Sequence, residues 1–368
     1  MHDDLEQRKA QHLDLAMRAE SEPGTDTLLS CVRLVHCALP ELALNQIDLS
    51  AKLCGKALRA PIMIVGMTGG TERAGKINRE LAQLAEEEGV AFGVGSMRAV
   101  LHDPAAIETF SVKPARPPLL MANLGAQQLV QTPAAARSLI EQLGADGICI
   151  HLNAAQELVQ AEGDRDFRGC LDAIGVLAQE LGERLIVKET GCGISPQVAR
   201  MLVARGVRTL DVSGAGGTSW TRVEEMRAVG ARERALGALL SQWGIPTAAA
   251  LGSVRSALDL QTAPGAGERV SLIASGGVRT ALDAARAIAL GADVVGLALP
   301  FLRAHQTGGI EAARESLRAL VEALRAIALL CGAPSLAALR AAPRVIEQPL
   351  ASHLAQLSRV PVSGSVAR

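Results

Sequence analysis

Short runs of apolar residues recur along the middle of the chain, and each breaks off into polar side chains or glycine. They read PIMIVGM at 61–67, VAFGVG at 90–95, PLLMANL at 118–124 and GICIHL at 147–152. Then follow RLIVKE at 184–189, RTLDVS at 208–213, VSLIAS at 270–275 and DVVGLA at 293–298. Each is too short for an ordinary helix and most lack strict alternation, which predicts strands buried on both faces. Between them lie helical patterns such as INRELAQLAEEEG, AAARSLIEQLGA, PQVARMLVARGV and TALDAARAIALGA. Several close on Gly before a small or branched residue, a helix stop leading into the next strand. Eight strand–helix units in succession predict an α/β fold, a closed (β/α)8 TIM barrel rather than an open doubly wound sheet.

Thr68, Ser96, Asn123, His151, Lys188 and Ser213 each fall at or just beyond the C-terminal end of a proposed strand. Active sites of such barrels sit at that face, and six strands ending alike make chance solvation a poor account. Three regions lie outside the alternation. Residues 1–60 read as a helical opening and a short-stranded lead-in, an N-terminal extension to a barrel spanning 61–341. Residues 310–341 read as Ala/Leu/Arg helices closing that unit, and 342–368 as a tail whose end, VPVSGSVAR, is frayed. Residues 214–245, after the sixth strand, form a connection of the length expected for a lid or binding loop.

Composition narrows the function classes. The 368 residues are 49% hydrophobic, ample for a large core, and the net charge of -1 offers no field for nucleic acid or an anionic membrane. Tyrosine is absent and aromatics are 2%, so stacking of bases on the protein is disfavoured. The most apolar stretch, AIALGADVVGLALP, is interrupted by Asp293, and the charged start MHDDLEQRKAQHLDLA lacks a signal peptide's apolar run. Seven scattered cysteines with no CxxC predict reduced thiols, hence a cytoplasmic protein.

Candidate chemistry begins with glycine. MTGG at 67–70, SGAGGTS at 213–219 and SGGVRT at 275–280 sit at strand ends, where glycine lets backbone N–H groups approach an anion. SGGVRT and GADVVGLALP occupy the loops after strands seven and eight, the usual phosphate position of a barrel. The GxGxxG dinucleotide fingerprint is absent. In HLNAAQE at 151–157, His151 and Asn153 point the same way from an extended strand, and Gln156 and Glu157 follow on the turn. Arg8, Lys9 and His12 share one helical face. Alone, Arg8-Lys9 describes a solvated helix.

Taken in order, RKAQH at 8–12, MTGG, GSMR at 95–98, ANLG at 122–125, HLNAAQE, EGDRDFRG, VKETGCGIS, DVSGAGGTSW and SGGVRTALD resemble the type 2 isopentenyl-diphosphate isomerases, an FMN-dependent family. The resemblance runs to about residue 302, with GSMR where GSQR is expected and HLNAAQE where HLNPLQE is expected. It implies that Thr68, Gly69, Gly70, Ser96, Asn123, Lys188, Ser213 and Thr218 hold the isoalloxazine and ribityl groups. Gly276, Gly277, Arg279, Ala298 and Leu299 would take the FMN phosphate. On the substrate side it implies a diphosphate clamp of Arg8, Lys9 and Arg98 with His12, Ser96 and Met97, and contacts from His151, Asn153 and Gln156. Gln156, His151 and Lys188 would be catalytic, and Glu157 would ligate Mg²⁺ bridged to substrate phosphates. The implied reaction interconverts isopentenyl and dimethylallyl diphosphate on reduced FMN, with NADPH as its reductant, in a homotetramer or homo-octamer.

Three rivals stay open at this point. An FMN-dependent 2-hydroxy acid oxidoreductase carries its base in an SNHGGR-like segment after the sixth strand, where this chain reads VSGAGGTSW without histidine. An IMP-dehydrogenase-like reading needs a nucleophilic cysteine in a glycine loop, and Cys192 is the candidate. A noncatalytic phospholigand sensor needs the phosphate loops alone, without Gln156–Glu157 or Arg8–Lys9.

Overall fold

The computed structural model describes residues 2–22, 24–260 and 269–359. The eight predicted strands all form: β1 (Ile62–Ile64), β2 (Ala91–Gly93), β3 (Leu120–Gly125), β4 (Gly147–Leu152), β5 (Leu185–Glu189), β6 (Thr209–Asp211), β7 (Ser271–Ala274) and β8 (Val294–Leu297). They pair in parallel, each with its sequence neighbours, and β8 closes on β1 through Val295–Ile62, Gly296–Met63 and Leu297–Ile64. The expected TIM barrel is the observed fold.

Alternation sorts the apolar residues into two layers. Met63, Ala91, Met121, Cys149, Ile186, Ile273 and Val294 pack together inside the barrel. Their neighbours Ile62, Phe92, Leu120, Ile148, Val187, Leu272 and Val295 face the surrounding helices. A hairpin of Ala51–Leu53 and Lys56–Leu58 lays Leu53 and Leu58 against the inner cluster, so the extension plugs the N-terminal end of the barrel.

Helix ends follow local chemistry. The helix Glu72–Glu88 starts five residues before its apolar periodicity does, because the Thr71 side chain accepts the Ala74 N–H at 3.1 Å. It stops on Gly89, at φ 68°. The helix Ala281–Ala289 opens on a capping box between Thr280 and Asp283.

The regions outside the alternation wrap the barrel. The helix His2–Ala16 lies against the helix Trp220–Arg227, which with Ala231–Leu240 builds the long connection after β6. At the other end of the chain, the long helix Leu299–Leu330 breaks at Gly308–Gly309, and Leu336–Ala341 follows. The described part of the expected tail is structured. Arg344–Ile346 pairs antiparallel with Val32–Leu34, and the helix Leu350–Leu357 buries Leu350. Residues 360–368, read as frayed, lie outside the described residues.

Phe110 is fully buried, and its ring fills the space a side chain at Gly69 would need: a Cβ there would sit 1.9 Å from the ring. Phe110→Ala is therefore expected to cost roughly 3–5 kcal/mol, the usual range for emptying a core aromatic site. A lower urea midpoint at unchanged slope is the check; an unmoved midpoint would refute this packing role.

Candidate active site

The inward rows of the barrel change character near its C-terminal mouth. Two residues beyond Met121, Cys149 and Ile186 stand Asn123, His151 and Lys188, and all three line one cavity. Asn123 donates its amide N–H to the Val94 carbonyl at 3.1 Å, which turns its oxygen toward His151 Nδ1, 2.8 Å away. A carbonyl only accepts, so His151 is the donor at Nδ1 and keeps Nε2 as an acceptor. Burial, then the positive charges of Lys188, Lys9 and Arg98, lowers the His151 pKa to about 3. The imidazole is neutral throughout the physiological range. Lys188 gives its ammonium to the Glu189 carbonyl at 2.5 Å and lies 4.0 Å from the buried Asp211 carboxylate. Asp211 in turn accepts from the Ser213 N–H at 3.2 Å and the Ser275 hydroxyl at 2.7 Å, tying β6 to β7. Ser213 is held at φ 38°, a strained backbone for a residue with a side chain.

Across the ring from β3 and β4, the loops after β6 and β7 form a glycine cradle. A Cβ on Gly276 would meet the Gly214 carbonyl at 2.1 Å, and one on Gly277 the Gly216 carbonyl at 2.3 Å, so only glycine lets these loops approach. Both line the cavity with Thr218, Arg279, Ala298 and Leu299. Among the described residues, no protein acceptor takes the N–H of Gly276 or Gly277. Unclaimed amides beside a guanidinium fit a phosphate.

The N-terminal helix brings Arg8, Lys9 and His12 to the same cavity, beside Ser96 and Arg98. Lys9 reaches the Ser96 carbonyl at 3.4 Å. Burial, then Arg8 and Arg98, lowers its pKa to about 8. Such crowding of cations is relieved by an anion. Two carboxylates of the EGDR segment meet the cluster here: Glu162 with Arg8 at 3.1 Å, and Asp164 with Arg98 at 3.9 Å. Arg8 Nε and Asn153 Oδ1 are buried without a hydrogen-bond partner, an arrangement that asks for a ligand. Glu157, also buried, accepts from the Asn153 amide at 2.9 Å and the Asp164 N–H at 2.7 Å. Each oxygen keeps a lone pair. No cluster of three metal-ligating side chains exists among the described residues. One carboxylate next to an anion clamp does fit Mg²⁺, which takes part of its shell from phosphate and water.

Three expected residues do not line the cavity. Gly69 packs on the Phe110 ring, and Gly70 gives its N–H to Thr109 Oγ1 at 2.8 Å. Met97 is fully buried in the core and donates its N–H to the Asn123 carbonyl at 2.8 Å, so it supports Asn123 from behind. Glu224, conversely, is unmarked in the sequence reading. It is buried, lies 2.9 Å from His12 Nε2, accepts from the Gln156 amide at 2.9 Å and pairs with Arg227 at 2.8 Å. Burial favours its neutral form, but His12, Gln156 and Arg227 outweigh that and lower the pKa. Burial lowers the His12 pKa despite its contact with that carboxylate. Trp220, one helical turn before Glu224, meets the His12 ring edge-on at 5.5 Å. The only local signal was the four-residue spacing of Trp220 and Glu224 in SWTRVEE, which does not name a partner.

Comparisons with known proteins agree with this geometry. A sequence model described as FMN-dependent dehydrogenase matches residues 108–346, which sets the class. A mandelate oxidase solved with (S)-2-phenylpropionate superposes with a TM-score of 0.60 at 17% identity, covering 94% of this chain and 98% of that one, a likeness of fold. An isopentenyl-diphosphate delta-isomerase from Synechococcus sp. is 51% identical, covering 81% of this chain and 84% of that protein. Another from Aeropyrum pernix is 44% identical over 96% and 93%. The chain belongs to the isopentenyl-diphosphate delta-isomerase family.

The low His151 pKa carries a stability consequence. The unfolded imidazole takes up its proton near pH 6.5, while the folded one resists until about pH 3. Its contribution is thus complete above pH 6.5 and lost as pH falls toward 3. In cofactor-free protein, His151→Gln should show a shallower loss of stability across that window than wild type, read by urea melts at successive pH. Parallel curves would contradict the assignment.

Proposed function

We propose that the chain interconverts isopentenyl diphosphate and dimethylallyl diphosphate, with reduced FMN as the acid/base cofactor, in isoprenoid biosynthesis. The observation that carries this reading is the sharing of one cavity by two anion sites on opposite sides of the barrel. One is the Gly276–Gly277–Arg279 cradle and the other is the Arg8–Lys9–Arg98 cluster. A flavin phosphate and a substrate diphosphate account for both.

When bound, reduced FMN supplies the acid and base toward carbon that no side chain here offers. Arg8 and Arg98 present planar forks to the diphosphate, and Lys9 a point charge. Neutral His151 offers a fixed acceptor at Nε2, and Lys188 a cation suited to a reduced, anionic flavin. Gln156, held by Glu224 at 2.9 Å, keeps its amide in one orientation beside the substrate. Glu157 is the proposed Mg²⁺ ligand and NADPH the proposed reductant of the flavin. A homotetramer or homo-octamer in the cytoplasm completes the reading; seven free cysteines suit a reducing compartment, and no described helix is long and apolar enough to cross a membrane.

The 2-hydroxy acid reading lacks a histidine after β6. Cys192 does not rescue the other rival: burial and then Glu189 raise its thiol to about 12, far from a nucleophilic thiolate.

The deciding experiment is anaerobic. With Mg²⁺, isopentenyl diphosphate and chemically reduced FMN, dimethylallyl diphosphate should accumulate over many turnovers without further reductant, and carry deuterium when made in D₂O. Oxidised FMN should give essentially none. Reductant consumed in proportion to product returns the oxidoreductase reading, and FMN binding without conversion returns the sensor. Separately, Glu157→Gln should weaken substrate binding and blunt Mg²⁺ dependence while FMN stays bound. Unchanged metal dependence would sink the Glu157 assignment.

A further inference from the structure

The two anion sites are joined by one short piece of chain. The helix that carries Arg8, Lys9 and His12 ends at Ala16, and the next residues run directly over the phosphate cradle. Ser21 is fully buried, and its hydroxyl donates to the Ala16 and Arg18 carbonyls at 3.0 and 2.7 Å, locking the turn. Its carbonyl accepts the Ser219 N–H at 2.9 Å, and the Glu20 carbonyl accepts from Arg222 at 3.3 Å. Thr27 then packs so tightly on the cradle that a Cβ at Gly277 would sit 2.4 Å from its methyl group.

Glu22 stands at the centre of this crossing. One carboxylate oxygen accepts from Arg279 at 2.7 Å, the other from Arg303 at 2.8 Å. Arg303 also donates to the Met17 carbonyl at 3.2 Å, just past the end of the N-terminal helix. Arg279 spends another N–H on the Val278 carbonyl at 3.0 Å and has donors to spare for a phosphate. A continuous chain of charge-assisted hydrogen bonds therefore leads from the cradle to the root of the substrate arm: Arg279, Glu22, Arg303, Met17.

We propose that Glu22 is a positioning residue that couples flavin-phosphate occupancy to the placement of the Arg8–Lys9–His12 arm; this rests on Arg279 being the flavin-phosphate ligand. The physical reason is entropic. Half-exposed ion pairs are weak because two long side chains must be immobilised to form them. A phosphate on the free face of Arg279 immobilises that guanidinium in advance, so its pair with Glu22 forms at lower cost and holds Arg303 and the helix end in turn. By linkage, an anion on the substrate arm tightens flavin binding by the same factor.

The test compares FMN with riboflavin, which has the same ring and ribityl chain without the phosphate. Hydrogen exchange across residues 8–16 is followed in wild type and in Glu22→Gln. FMN should slow exchange of this segment in wild type; saturating riboflavin should not. Glu22→Gln should still bind FMN, within roughly five-fold of wild type as expected for loss of half-exposed pairs, yet show no slowing. Inorganic diphosphate should tighten FMN in wild type and not in the variant. Equal slowing by riboflavin, or full slowing in Glu22→Gln, overturns the coupling. Where the variant does not fold, the wild-type comparison still overturns the coupling if riboflavin slows exchange as FMN does. Failure of wild type to bind FMN at all removes the cofactor reading itself, and the coupling with it.

Discussion

Three inward rows of this barrel, those of β3, β4 and β5, carry two chemistries, and the site depends on where each row changes. Met121, Cys149 and Ile186 fill the interior, and two residues later the same rows present Asn123, His151 and Lys188 to the cavity. Period-two alternation makes that conversion obligatory: a one-residue slip would turn the polar groups into the helical layer and the helix-facing apolar residues inward. Barrel closure fixes the register, through β8 on β1, so the polar ends converge on one mouth.

Convergence on a buried site then dictates the electrostatics. His151 is surrounded by Lys188, Lys9 and Arg98 and cannot hold a proton, which leaves it a neutral hydrogen-bonding group. Its tautomer is set one step further out, where the Val94 carbonyl orients Asn123. Met97 secures Asn123 from the core side. The departure of GSMR from the expected GSQR is thereby explained: an apolar side chain at that position is buried, and its backbone does the supporting. A carboxylate in the opposite role, Glu224, stays ionised in a buried place because His12, Gln156 and Arg227 surround it.

The N-terminal extension is as much a part of the site as the barrel is. Its hairpin plugs the bottom of the barrel, its first helix roofs the top, and the segment between crosses the phosphate cradle. The strand Val32–Leu34 then pairs with Arg344–Ile346, which ties the extension to the segment that follows the last barrel helices. A barrel of this kind hosts many chemistries. Here a cationic arm is brought over its mouth.

The sequence by itself determined the eight strands, the stops of the helices and the strand-end polar residues, because those depend on periodicity and glycine within a few residues. It also marked most of the cavity wall, from Thr68 to Leu299, since ordered motifs at strand ends have one face to occupy. Tertiary structure alone decided the pairings across the cavity. Arg8 meets Glu162 across 154 residues, and Glu224 reaches His12 and Gln156 from a connection that local pattern left unassigned. It also withdrew Gly69, Gly70 and Met97 from the wall, because Phe110, Thr109 and Asn123 claim them first. Which partner claims a polar or small residue depends on the three-dimensional neighbourhood, and hydrogen-bonding capacity written in the sequence carries no address.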